Sequence, residues 1–199
     1  MKKIIYILAA ATVLCSTKQA KAQDRERIFN MYYSMGLGTG DMADYISKYS
    51  WRGFGMEWKT DVFDNASLGF GAEWNVFYED MGYATYTRDN LALSGEQFRY
   101  ANMFPMTARF NYFKDNAAGM RFFGGAGIGT TYMIHDLDMN IYRWNRDTWQ
   151  FLIAPEVGVQ YDVSADNTIM LSVKYNLNFK TKDVPSQSYL AFNVGFGFR

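Results

Sequence analysis

Cysteine, histidine and proline are all scarce in this 199-residue chain, with one Cys, one His and three Pro. The single cysteine, Cys15, lies in an apolar segment near the start. Everything after it is free of thiols, so disulfides and a Cys-based metal site are excluded. Lys plus Arg balance Asp plus Glu at 20 each. There is no excess of positive charge for a nucleic-acid partner, which would need a basic face. Beyond the first residues no apolar run approaches the ~20 needed for a membrane helix. Any membrane span must then be built from strands, because lipid leaves unpaired backbone unsatisfied.

The N-terminus has the three parts of a secretory signal. Lys2 and Lys3 give a basic start, 4–14 is a short apolar run, and Ala20-Lys21-Ala22 is an A-x-A cleavage site before Gln23. We read 1–22 as signal peptide and 23–199 as one domain. A lipid anchor on Cys15 is disfavoured because Leu14 precedes it where a small residue is needed. Cleavage removes Lys2, Lys3, Lys18 and Lys21 and no acid, leaving a mature chain of about minus four.

What is abundant is Gly, Tyr and Phe, at 17, 15 and 16 residues, arranged with a period of two. In YLAFNVGFGFR (189–199), Leu190, Phe192, Val194, Phe196 and Phe198 share one side of an extended strand. Ala191, Asn193, Gly195 and Gly197 share the other. The alternation recurs at 29–39, 51–62, 68–78, 98–113, 120–133, 149–163 and 168–179. One parity is apolar and aromatic; the other is small, polar or charged. A soluble barrel would place its apolar parity in the lumen. Here ionised residues occupy the parity opposite the aromatics, as in a barrel bathed by lipid. The expected fold is an all-β, transmembrane, antiparallel up-and-down β-barrel of about eight strands. Connections alternate long and short, with 79–97 and 134–148 expected as long polar loops on the outer side and both chain ends on the periplasmic side.

The strand pattern, the segment 103–113 (MFPMTARFNYF), the Gly-rich run 124–129 (GGAGIG) and the aromatic C-terminus together resemble the small bacterial outer-membrane β-barrels of the OmpX, OmpA-barrel and OmpW-like group. The resemblance covers the whole mature chain. It implies residence in the bacterial outer membrane, contact with outer-membrane lipid, and assembly by the barrel-insertion machinery, which reads a C-terminal aromatic strand. Phe192, Phe196 and Phe198 would carry that signal. Such strands usually end on the aromatic, whereas here Arg199 follows Phe198.

Residues with chemistry fall on the lumen parity. Glu57, Asp61, Glu73, Glu156 and Asp162 oppose Lys59, Arg109, Arg121 and Lys174. Ionised groups in a narrow lumen need partners, so a structural charge network is expected in preference to a pore lining. A turn at 164–167 pairs Asp162 with Thr168 and hence Glu156 with Lys174. His135, beside Asp136 and Asp138, is the only histidine. It lacks a suitably spaced Ser for acyl transfer, and the alternate acids are a weak metal pattern. The runs 36–40 and 125–129 lack the G-x-G-x-x-G spacing and following helix of a nucleotide loop. No enzyme activity, metal or cofactor is expected. The expected role is structural or adhesin-like, through aromatic-rich segments in 79–97 and 134–148 as possible ligand contacts. A narrow channel for small or apolar solutes is the alternative, and a lipid A-modifying enzyme ranks third.

Overall fold

In the computed structural model, described over residues 26–88, 91–116, 119–139, 142–182 and 184–199, strands predominate. The segment 1–22, expected as signal peptide, and Cys15 within it lie outside the described residues. Eight strands follow in order: β1 (Arg27–Thr39), β2 (Arg52–Phe63), β3 (Ala66–Arg88), β4 (Leu91–Asp115), β5 (Met120–Met139), β6 (Tyr142–Asp162), β7 (Asn167–Asn178) and β8 (Ser188–Phe198). Each pairs antiparallel with its sequence neighbours, and β8 closes on β1 to give an up-and-down barrel. The β1–β8 seam runs from Phe29 opposite Phe198 to Thr39 opposite Ser188.

The alternating side chains dictate this closure. Along β1, Asn30, Tyr32 and Ser34 are buried, whereas Phe29, Met31 and Tyr33 are exposed. Around the barrel Phe70, Trp74, Phe110, Phe122, Val157 and Phe196 point outward and are 49–63% exposed. A monomer rarely shows water so broad an apolar surface; lipid is its natural solvent. The upper edge of this belt is a row of rings. Trp74 stacks on Phe104 at 6.2 Å, Phe104 meets Tyr132 at 6.3 Å, and Tyr132 meets Trp149 at 4.9 Å. Such girdles mark a bilayer interface.

Two expectations are corrected. Of the stretch 79–97, the described residues 79–88 and 91–97 are strand, not loop: apart from one bulge, β3 and β4 pair up to Arg88 opposite Leu91. Of the stretch 134–148, the described residues 134–139 and 142–148 are likewise strand, with β5 and β6 paired up to Met139 opposite Tyr142. Polarity was the misleading signal. A strand outside the bilayer has water on both faces and needs no apolar parity. β4 also pairs with β5 as far as Gln97 opposite Met139. The two hairpins therefore form one four-stranded sheet rising beyond the ring girdle. The ten steps from Tyr78 to Arg88 amount to about 33 Å of strand at ~3.3 Å each. A bulge between Asp80 and Gly82 bends it, with Gly82 at φ 65° and its N–H donating to Asp80 Oδ1 at 2.8 Å.

The segment 40–50, polar in sequence, is more than a connection between β1 and β2. It carries a short helix, α1 (Asp41–Tyr45), that folds into the barrel mouth. Met42 and Ile46 are fully buried there. A bridge between Gly36 and Ser50 anchors the segment.

Candidate functional site: the charged lumen and the outer mouth

Arg109 on β4 is the hub of the lumen. Its Nη1 lies 3.1 Å from Glu57 Oε1 and 3.4 Å from Glu156 Oε2, and its Nη2 pairs with Glu73 Oε1. Nε donates to Thr107 Oγ1 at 2.9 Å. Lys174 Nζ also pairs with Glu73 Oε1, to which the Tyr32 hydroxyl donates at 3.0 Å. Lys59 Nζ lies 3.0 Å from Glu57 Oε2 and sits 4.2 Å above the Phe123 ring. Ser172 Oγ donates to Glu156 Oε1 at 2.6 Å and accepts from Asn193 Nδ2 at 3.1 Å. All six ionised residues are at most 6% exposed. Three carboxylates face three cations, so this buried cluster is neutral. A guanidinium suits the centre because its planar fork can meet several carboxylates at once. Gly71 makes the room: a Cβ there would lie 2.7 Å from Arg109 Cζ.

The expected register holds, with Asp162 opposite Thr168 and Glu156 opposite Lys174. The ion pairing does not follow it. Lys174 crosses the lumen to Glu73, while Glu156 takes Arg109 and Ser172. In a barrel only as wide as its side chains, a partner across the axis is as near as one on the next strand. Arg121 is a second correction. It stands apart from this cluster, at the rim beside the chain termini. There it binds Glu26 at 2.8 Å, Asp61 at 3.1 Å and Asp115 at 2.7 Å. Arg199 joins the same rim, pairing with Glu26 and, at 2.5 Å, with Asp162. The terminal strand is thus held beyond Phe198. Phe192, Phe196 and Phe198 lie on the lipid-facing side of β8.

Above the charge cluster lies an apolar layer that sequence reading missed. Phe77, Ala101, Met103, Met133, Tyr189 and Ala191 are fully buried, and Met42 and Ile46 from the α1 segment pack onto them. Phe77 and Tyr189 meet edge to face at 5.2 Å, and the Tyr189 hydroxyl accepts from Asn75 Nδ2 at 3.1 Å. Phe77, in parity with Glu73 and Asn75, was a legible signal. The contribution of α1 was not, because no local pattern tells a connection to fold inward. Below the charges, Tyr32, Phe113, Phe123 and Met170 form a second apolar cluster.

Beyond the upper apolar layer the mouth opens into a cavity of about 460 Å³. Asp41 and Tyr45 of α1, Gln97 and Arg99 of β4, His135 and Leu137 of β5, Arg146 of β6 and the 184–187 connection surround it. Arg99 Nη1 donates to the Tyr45 carbonyl at 3.0 Å. The His135 ring lies 5.2 Å from that of Tyr45 and opposite Arg146 in register. Burial first, then the Arg146 charge, lower the His135 pKa from 6.5 to about 4. His135 and Asp136 are consecutive on a strand and so face opposite ways; Asp136 Oδ1 accepts from Asn145 Nδ2 at 2.7 Å.

Closed antiparallel topology, a lipid-facing apolar belt and a charged lumen define a transmembrane β-barrel of the eight-stranded outer-membrane type. Solved structures share this fold. Neisserial surface protein A superposes with a TM-score of 0.55 at 12% identity, covering 88% of this chain and 99% of that one. OprG from Pseudomonas aeruginosa gives 0.53 at 13% identity, covering 86% and 94%. The attachment invasion locus protein Ail of Yersinia pestis gives 0.50 at 12% identity, covering 87% and 96%. No protein-family model matches the chain, and no curated protein matches it. By the orientation of the class, the chain termini lie on the periplasmic side and the mouth with its four-stranded sheet faces outward.

Proposed function

We propose that this protein is a closed, non-conducting outer-membrane barrel whose outer sheet and mouth serve contact at the cell surface. The sealed lumen carries this reading. A neutral cluster of six buried ionised residues is roofed by a fully buried apolar layer that includes Met42 and Ile46 of the α1 segment. A solute path would have to break both. The outer sheet exposes Met81 and Tyr83, residues of the kind that make contacts. One structural neighbour is named as an attachment protein, which accords with a surface role. A non-enzymatic role accords with His135, whose pKa, lowered to about 4 by burial and the Arg146 charge, suits it poorly to proton abstraction near neutral pH.

The test is planar-bilayer recording of the refolded mature protein. No steady single-channel current is expected. Reproducible steady conductance would overturn the closed-barrel reading and promote the narrow channel.

A further inference from the structure

The outer rim of the barrel has a tall side and a low side. On the tall side β3 to β6 rise as the four-stranded sheet; on the low side β7, β8, β1 and β2 have no such extension. Thr39 faces Ser188 across the seam and its Oγ1 lies 3.0 Å from the Tyr175 hydroxyl, so the ends of β7, β8 and β1 meet there. Two short connections, 40–51 and 179–187, cover this low side. They carry Lys48, Lys180 and Lys182, and Arg52 opens β2 just after the first. All four side chains are exposed, and none has a hydrogen-bonding or acidic partner among the described residues. Arg99, Arg109, Arg121 and Arg199, by contrast, are each bonded within the protein.

The ring girdle fixes the level of these cations. Arg52 lies on the outward side of β2 with Phe54, Met56 and Trp58, and faces Val76. Trp74, the first ring of the girdle, faces Phe54, so Arg52 stands two residues, about 7 Å of strand, outside it. Trp51, 64% exposed, flanks it with its ring 4.8 Å from that of Tyr49. After β7 the Phe179 N–H donates to the Phe151 carbonyl at 2.9 Å, and their rings lie 5.7 Å apart. Phe151 is two residues from Trp149, the last ring of the girdle, so Lys180 leaves the strand at that level. The Thr181 N–H donates to the Val184 carbonyl at 2.9 Å, a tight turn that keeps Lys182 close by. Lipid headgroups lie at the level of such rings. We propose that the low side of the rim binds the phosphate groups of outer-leaflet lipid, through Lys48 and Arg52 at one connection and Lys180 and Lys182 at the other. Exposed, unpaired cations beside interfacial rings suit an anion carried on a hydrocarbon body. The guanidinium offers its fork to phosphate oxygens, and each ammonium acts as a point charge. The acids of the two connections are Asp41, Asp44 and Asp183; Asp41 lines the mouth cavity, and the cations remain in excess. The rung that Arg52 begins continues through Val76, Asn102, Ile134 and Asp147 on the tall side, with no further cation. Attraction for phosphate is therefore confined at this rung to the low side. The inference needs only the orientation of the class and stands whether or not the barrel conducts.

The test is lipid selectivity, read by electron spin resonance of the mature protein refolded in phosphatidylcholine vesicles. Spin-labelled phosphatidic acid is compared with spin-labelled phosphatidylcholine. The phosphatidic acid is expected to enter the protein-restricted component about threefold more than phosphatidylcholine at low salt, and less so as salt is raised. Lys48→Gln, Arg52→Gln, Lys180→Gln and Lys182→Gln combined should remove most of that preference. Arg27→Gln with Lys114→Gln, which removes two exposed cations at the periplasmic end, should keep it. All six positions are on the surface, and unboiled gel migration checks that each variant is a folded barrel. Inorganic phosphate should displace the labelled lipid no better than chloride at matched ionic strength. No preference in the wild type, an undiminished preference in the fourfold variant, or an equal loss in the periplasmic variant would overturn the proposal. Displacement by phosphate beyond its ionic strength would assign the cations to a soluble anion and overturn it as well.

Discussion

Arg109 shows how much one side chain can organise. It touches Glu57, Glu73 and Glu156 and is hydrogen-bonded to Thr107 and Tyr32. Arg109→Met would leave three buried carboxylates short of a partner, at a cost of about 3–5 kcal/mol by urea unfolding in lipid vesicles. The same method separates true partners from register neighbours. A double-mutant cycle of Lys174→Met with Glu73→Gln should give a coupling of about 1–3 kcal/mol. The cycle with Glu156→Gln should give less, since Lys174 crosses to Glu73 although Glu156 faces it in register. Equal couplings would mean that register governs the pairing. His135 makes a pH prediction. Its folded pKa, about 4, lies below the ordinary 6.5 because of burial and then Arg146. Between these values the unfolded state holds a proton that the folded state lacks, so this residue's contribution falls as pH falls from 6.5 towards 4. An NMR titration midpoint near 4 is expected, moving up in Arg146→Ala. A midpoint at 6.5 or above in the wild type would contradict the buried setting.

At the scale of elements, the α1 segment is the part on which closure depends. Its five-residue helix is too short to be stable alone and persists because Met42 and Ile46 bury against Phe77, Met103 and Tyr189. Ser47 adds a tie, its N–H and Oγ donating to the Glu79 carboxylate at 2.6 and 2.9 Å. Ile46→Asp would place an unpaired charge in that layer. The barrel strands, whose pairing does not involve Ile46, should still form, and the segment should leave the mouth. We expect amide exchange at 41–47 to rise sharply while β1 and β8 stay protected. Retained protection across 41–47 would show that the apolar anchor is dispensable. The outer hairpins obey different physics from the strands below them. They keep the backbone ladder but lose the apolar parity, because water replaces lipid on their outer face.

For the whole molecule, closure of β8 on β1 is the step that removes the last free edges. Phe198 pairs with Phe29 at the periplasmic end of the seam, and Arg199 fastens the strand to Glu26 and Asp162. A charge on the lipid face near the interface costs only about 0–1 kcal/mol. Phe198→Asp should nonetheless reduce the folded barrel recovered from outer membranes by more than that figure allows, because it also alters the aromatic terminal strand that assembly is proposed to read. Unboiled gel migration of membrane fractions is the measure, and wild-type levels of folded mutant would contradict the proposed role.

Strand number, the side each residue faces and even the β6–β7 register were legible in the sequence. All three follow from a period of two imposed by lipid on one side and a narrow polar lumen on the other. Gly55, Gly71 and Glu73 fall on the inner parity for reasons a linear pattern can express. The sequence by itself could not say that Lys174 chooses Glu73, that Arg121 belongs to the rim, or that 40–50 folds into the mouth. Nor could it show that Gln97, Arg99, His135 and Gln187 surround one cavity. Those are distances across the barrel, set by how far each side chain reaches once eight strands have closed. A local pattern carries information along a strand and to its neighbour, and only the closed tertiary structure decides what meets across the axis.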